Sequence, residues 1–284
     1  MSHVTATADV AVDHATHGTL TYIIRQDEKP YFLSSALTGG EPEVHFKTEL
    51  HTVPINDMRS IDADVDREGF ALLRSQTAVS DFYDQDQVEA VYEPELTRLL
   101  KERFGAASVH IFDHTRRSDG GEGAKNPDGM RGPATRVHVD YTDVSGPQRA
   151  KDAMGEAEYN RVIASGGRVV QVNVWRPIRG PVQRAPLALA AADSVPKADL
   201  IATDQRFPDR TGEIYQLAYG EGHRWYYAPL MLRDEVLLIK GWDSLDDGRA
   251  KYTPHGAFQL PNQDPNAPAR ESIETRTFLV IEAT

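Results

Sequence analysis

The chain has 284 residues, 26% charged and 40% hydrophobic, which is enough apolar material for the core of one large soluble domain. With 43 Asp and Glu against 31 Lys and Arg, the net charge is −12 and no segment is rich in Lys or Arg, which argues against nucleic-acid binding. There is no cysteine, so disulfides, zinc–thiolate sites, iron–sulfur clusters and a cysteine nucleophile are excluded.

Residues 1–18 are small and polar and are expected to be poorly ordered. They have neither the basic n-region nor the apolar h-region of a secretion signal, and no apolar run reaches the roughly 20 residues that span a bilayer. A cytoplasmic protein is predicted. Strands are expected at 20–24 and 46–53, with Gly39, Gly40, Glu41 and Pro42 as the turn between them, and a buried strand at 68–73. Val88, Val91, Tyr92, Leu96, Leu99, Leu100 and Phe104 recur at helical spacing, which predicts a helix over 86–104, interrupted near Pro94 and ended by Gly105. Residues 107–115 return to strand character, with Val109, Ile111 and Asp113 on one side and His110, Phe112 and His114 on the other.

The stretch 118–132, rich in Gly, Asp and Asn, reads as a mobile loop. A second helix is predicted over 148–163, ended by Ser165, Gly166 and Gly167, followed by strands at 168–177, 225–227, 235–240, 257–260 and 273–281. There is no internal repeat. Many short strands after N-terminal helical material predict a mostly β fold with flanking helices. Its centre is a double-stranded β-helix (jelly-roll) core over about 107–284, with the N-terminal strands and helix packed on it, in a single domain of 1–284.

Chemistry enters with Arg136-Val137-His138-Val139-Asp140-Tyr141. On a strand, residues two apart share a face, so His138 and Asp140 can ligate one ion while Val139 points away. Alone, H-x-D is common, and a surface histidine beside an aspartate is its ordinary explanation. His255, far downstream in another strand-like segment, supplies a second imidazole. Two histidines and one carboxylate form the facial triad of non-haem Fe(II) oxygenases, which leaves metal positions open for co-substrate and dioxygen. Arg270 and Ser272 then follow on one face of the last strand and can hold a carboxylate. Arg276 shares that face and is a second candidate for that carboxylate or for an acidic substrate, with a Glu274–Arg276 ion pair as the alternative. Asn173 and Trp175 share a strand face and are candidate pocket residues, core packing being the alternative for Trp175. His110 and His114, four residues apart on a strand, stand roughly 13 Å apart, too far to share an ion. His223 reads as an ordinary loop histidine.

The order H-x-D, distal His, R-x-S resembles the Fe(II)/2-oxoglutarate-dependent oxygenase superfamily. Asn173-Val174-Trp175-Arg176-Pro177, Trp225-Tyr226-Tyr227, Asp234-Glu235, Trp242-Asp243-Ser244, Pro254-His255-Gly256-Ala257-Phe258 and the segment from Arg270 to Arg276 narrow the likeness. From about Gly69 to the C-terminus the chain resembles the hydroxylase/desaturase family of gibberellin-desaturase-like, AsaB-type and CmcJ-type proteins. The His255 to Arg270 interval is longer than in many members, and Asn262 to Pro268 reads as the turn insertion that lengthens it.

The resemblance implies iron bound by His138, Asp140 and His255, 2-oxoglutarate bound by Arg270 and Ser272, and dioxygen as oxidant. It further implies hydroxylation or desaturation of a small natural-product molecule, with 2-oxoglutarate decarboxylated to succinate. Retention of Asp140 disfavours halogenation, because related halogenases replace the carboxylate with a small residue. Two other readings stay open: a 2-oxoglutarate-independent cupin-type dioxygenase or isomerase, and a non-catalytic jelly-roll binding module. No membrane or nucleic-acid partner is expected, and a homodimer is one assembly the sequence leaves open.

Overall fold

Alternation along the strand Arg168–Pro177 organises the molecule. In the computed structural model, which describes residues 15–39, 42–127 and 129–283, Val170, Val172 and Val174 face one way and Gln171, Asn173 and Trp175 the other. The valines join Tyr92, Leu96, Leu100, Leu238 and Leu279 in a core beneath the helix Glu93–Phe104. The opposite row faces the interior between two sheets and carries the polar side chains of the site.

One sheet has five antiparallel strands in the order Phe70–Arg74, Glu235–Asp243, Arg168–Pro177, Glu271–Ile281, Ser108–Ser118. Facing it is a ten-stranded sheet whose centre runs Leu187–Ala190, His255–Ala257, His138–Val139, Thr211–Leu217. This is a double-stranded β-helix with flanking helices. The N-terminal strands do more than pack on the core. Thr16–Ile23 and Thr48–Asp57 extend one edge of the larger sheet, Tyr31–Leu33 and Glu43–His45 the other, and Phe70–Arg74 closes the smaller sheet. Of the expected poorly ordered segment, residues 1–14 lie outside the described residues, and Thr16–Gly18 are strand.

Several elements differ from expectation, each for a local reason. The first long helix is a short α turn capped by Asp84, a wider π turn at Val88–Tyr92, and Glu93–Phe104, with Pro94 in the first turn where its missing N–H costs nothing. The second is two helices, Ser145–Met154 and Glu156–Ala164, broken at Gly155, whose φ is 89°. The stretch 118–132 contains a hairpin, Ala124–Asn126 with Gly129–Arg131, anchored by Asn126 bonding both ways to the Arg116 backbone at 2.7 and 2.9 Å. Gly40 and Glu41 of the expected turn lie outside the described residues. Two further strands and the short helix Ser35–Thr38 stand between the flanking strands. The strands Leu187–Ala190, Leu200–Arg206 and Thr211–Leu217 were not predicted, and His255 itself opens the strand expected at 257–260.

In the strand Ser108–Ser118 alternation fails, with consequences. Pairing jumps from Arg276↔Asp113 to Thr277↔Ile111, so Phe112 is a β-bulge. Val109 and Ile111 therefore pack under the helix, while Asp113 turns to the interior. His110 and His114 consequently do not share a face: His110 approaches Glu158 of the Glu156–Ala164 helix, and His114 bonds Glu93 of the Glu93–Phe104 helix at 2.9 Å. Among the described residues no helix is long and apolar enough to cross a membrane.

Leu238 is fully buried in the core between the smaller sheet and its helix. Leu238→Ala is expected to lower stability by about 2–5 kcal/mol in denaturant titration. A loss below about 1 kcal/mol would contradict its placement in a packed core.

Candidate metal centre

Antiparallel pairing brings the two distant histidines together. His138 sits directly opposite His255, and their rings lie 4.6 Å apart at 51°. Asp140 follows at the end of the His138–Val139 strand, its Oδ1 3.5 Å from His138 Nε2. One ligand atom from each of the three lies within 4.8 Å of the others. His138 Nδ1 donates to the Arg136 carbonyl at 2.8 Å and His255 Nδ1 to the Thr253 carbonyl at 2.9 Å. Those bonds place the imidazole proton on Nδ1 and leave both Nε2 lone pairs for an ion. Thr253 is itself held, its hydroxyl donating to the Gly69 carbonyl at 2.6 Å.

The electrostatics suit a metal. Burial pulls the His255 pKa down, and neighbouring His138 adds to this, so His255 stays neutral. Burial alone would raise the Asp140 carboxyl, but the Arg276 guanidinium outweighs it and holds Asp140 well below the usual carboxylate range. Asp140 Oδ2 accepts from Arg276 Nε at 2.9 Å and from Asn173 Nδ2 at 2.8 Å, leaving Oδ1 on the histidine side.

Arg276 is fully committed. Besides Asp140 it bonds Asp113 at 2.5 Å, Glu274 at 3.2 Å and the Thr115 hydroxyl at 3.0 Å. Burial would lower its pKa, yet the three carboxylates drive it well above the ordinary value. The Glu274–Arg276 pair foreseen as an alternative is present, and no edge of Arg276 is left for a co-substrate.

Arg270 is the opposite case. It is 2% exposed, its Nη1 donates to the Ala185 carbonyl at 3.2 Å, and its Nε and Nη2 are buried without a hydrogen-bond partner among the described residues. Burial and nearby Arg117 pull its pKa down to about 10. Ala185 holds a left-handed φ of 42°, a strained backbone for a residue with a Cβ, and its carbonyl is the one aimed at Arg270. Buried unpaired donors are costly, and the free Nε/Nη2 edge has the fork geometry that a carboxylate fills with two bonds. Ser272 lies buried between Arg270 and Glu274 on the same strand face.

One small pocket is lined by His138, His255, Arg270, Trp175, Glu274 and Arg117. Trp175 is both wall and core, packing with Phe70, Leu187 and Leu237. Arg117 and Glu274 were not foreseen as pocket residues. Glu274 alternates with Arg270 and Ser272, a signal the sequence contained. Arg117 depends on the Phe112 bulge for its face, and nothing in the sequence marks that bulge. The buried His223, expected in an ordinary loop, bonds Asp199 at 2.9 Å and takes no part in the site.

Comparison with known proteins agrees with this geometry. The protein-family model described as "Oxidoreductase/YMDC permease-like domain" matches residues 20–280. The chain is 35% identical over 239 residues to "Alpha-ketoglutarate-dependent dioxygenase phiK" of a fungal species, covering 82% of this chain and 85% of that one. It is 33% identical over 273 residues to "Hydroxylase/desaturase efuI" of Hormonema carpetanum, covering 88% and 90%. Among solved structures it resembles the iron and alpha-ketoglutarate-dependent endoperoxidase NvfI with a TM-score of 0.82 at 26% identity, covering 95% of this chain and 99% of that one. The chain belongs to the iron- and 2-oxoglutarate-dependent hydroxylase/desaturase family, as the order of its motifs implied.

Removing Arg276 leaves three inward carboxylates without their shared cation. Arg276→Met is expected to destabilise the fold by about 3–5 kcal/mol, read as a lower denaturation midpoint. Unchanged stability would mean that those carboxylates find water or other partners.

Proposed function

We propose that His138, Asp140 and His255 hold one Fe(II) and that Arg270, with Ser272 beside it, holds the distal carboxylate of 2-oxoglutarate, for hydroxylation or desaturation of a small natural-product molecule. The observation that carries this reading is the unpaired Nε/Nη2 edge of Arg270, buried in the pocket that His138 and His255 also line. Two imidazole nitrogens and an ionised carboxylate suit Fe(II), and a buried fork of unpaired N–H groups suits a carboxylate. When bound, iron and 2-oxoglutarate supply the oxidation of a C–H bond by dioxygen, with decarboxylation of the keto acid to succinate.

The chain's own groups prepare the site. The Arg136 and Thr253 carbonyls fix the imidazole tautomers, and Arg276 with Asn173 turns Oδ1 of Asp140 toward the histidines. Trp175 and Leu187 give the pocket apolar walls that exclude water from the reacting carbon. The choice among hydroxylation, desaturation and the endoperoxide formation named for NvfI lies in how the substrate carbon is placed. A 2-oxoglutarate-independent dioxygenase and a binding module both leave the Arg270 edge without a purpose.

Two outcomes are expected. In anaerobic titrations of the metal-loaded protein, Arg270→Leu retains Fe(II) but weakens 2-oxoglutarate binding at least about thirtyfold, the loss expected when a buried charge partner is truncated. Unaltered 2-oxoglutarate affinity in that variant would remove Arg270 from the co-substrate site. Asp140→Ala stays folded by circular dichroism but forms no succinate above background; succinate formation at the wild-type rate would show that Asp140 is not a ligand.

A further inference from the structure

A bulge lies two hydrogen bonds behind Asp140. Pairing between Arg168–Pro177 and Glu235–Asp243 moves from Gln171↔Trp242 to Val172↔Lys240, so Gly241 is an extra residue with no partner. Its φ lies outside the left-handed range, so what this position requires is space. A Cβ there would stand 1.9 Å from Gln171 Oε1 and 3.4 Å from a Tyr141 ring carbon. The Gln171 side chain occupies the room that the bulge leaves.

Gln171 is fully buried on the interior face, in the same row as Asn173 and Trp175. Its Nε2 donates to Asn173 Oδ1 at 2.5 Å, while its Oε1 is buried with no hydrogen-bond partner among the described residues. A buried acceptor without a donor costs stability, so the fold alone does not account for a glutamine here. Its effect is on Asn173. With Oδ1 engaged by Gln171, Asn173 directs Nδ2 to Asp140 Oδ2 at 2.8 Å and to Glu274 Oε1 at 2.6 Å. A flipped Asn173 would set its own oxygen against two carboxylates.

We infer that Gln171, seated in the Gly241 bulge, is a positioning residue for Asp140, acting through the Asn173 amide. The inference rests on the proposed role of Asp140 as a metal ligand. Asn173 and Arg276 together occupy Asp140 Oδ2, so the carboxylate presents one oxygen to the ion. Without the Gln171 donor Asn173 Oδ1 is left buried with no partner and the amide loses one of its three restraints, so its hold on Asp140 Oδ2 loosens and Arg276 carries more of the tethering.

The test is Fe(II) affinity, measured by anaerobic titration of the apo-protein for wild type, Gln171→Met, Asn173→Ala, the double variant and Gly241→Ala, each checked for folding by circular dichroism. Gln171→Met is expected to bind Fe(II) about 10- to 100-fold more weakly, the usual effect of losing an outer partner of a metal ligand. The double variant is expected to bind no more weakly than Asn173→Ala, because the two residues act in series. Gly241→Ala is expected to reproduce the loss with Gln171 still in place. Wild-type affinity in Gln171→Met or in Gly241→Ala, or losses that simply add in the double variant, would overturn the relay. Wild-type protein that takes up no Fe(II) would instead overturn the ligand assignment beneath it, and the relay with it.

Discussion

Asp140 stays ionised inside a largely buried pocket because one guanidinium, Arg276, stands against it at 2.9 Å. Everything else in the site follows from that pairing. An uncompensated carboxylate at this depth would take up a proton and lose its value as a donor to a cation. Arg276 is itself affordable in the interior only because Asp113 and Glu274 share its charge. The result is a balanced network on the inner face of the five-stranded sheet, with Asp140 fixed at the boundary where the opposite sheet contributes His138 and His255.

The division of labour between Arg270, just before the last strand, and Arg276 within it follows from the same network. Arg276 is saturated by carboxylates, whereas Arg270, six residues earlier, has one edge tied to a strained backbone carbonyl and the other without a hydrogen-bond partner among the described residues. Two similar side chains in one row are thereby separated into a structural cation and a cation open to a ligand. Between them Glu274 faces the pocket as well as Arg276, so the two halves of the site share a wall.

Much of this was legible in the chain. The two-residue spacing of His138 and Asp140, the distal His255 and the shared face of Arg270, Ser272 and Arg276 all follow from strand periodicity. What periodicity could not show are the places where strands gain a residue. The Phe112 bulge separates His110 from His114 and turns Asp113 inward to Arg276, and the Gly241 bulge makes room for Gln171. Phe112 carries no local signal, because a bulge is set by register against a partner strand far away in sequence, whereas an isolated glycine in a strand, as at Gly241, is a cue that the sequence did contain. The helix break at Gly155 is another matter. Glycine there was visible, but the apolar spacing on either side reads as one continuous helix until the backbone turns to positive φ. Asn173 was foreseen as a pocket residue, yet its place is behind the carboxylate, with its amide joining Asp140 to Glu274.

The proposed function requires that His138, Asp140 and His255 meet at one ion. Metal analysis of protein reconstituted anaerobically with Fe(II) and then desalted tests it most directly. One iron per chain is expected for the wild type, with retention lost in His255→Ala although that variant remains folded. A folded His255→Ala protein that holds one iron per chain as firmly as the wild type would contradict it.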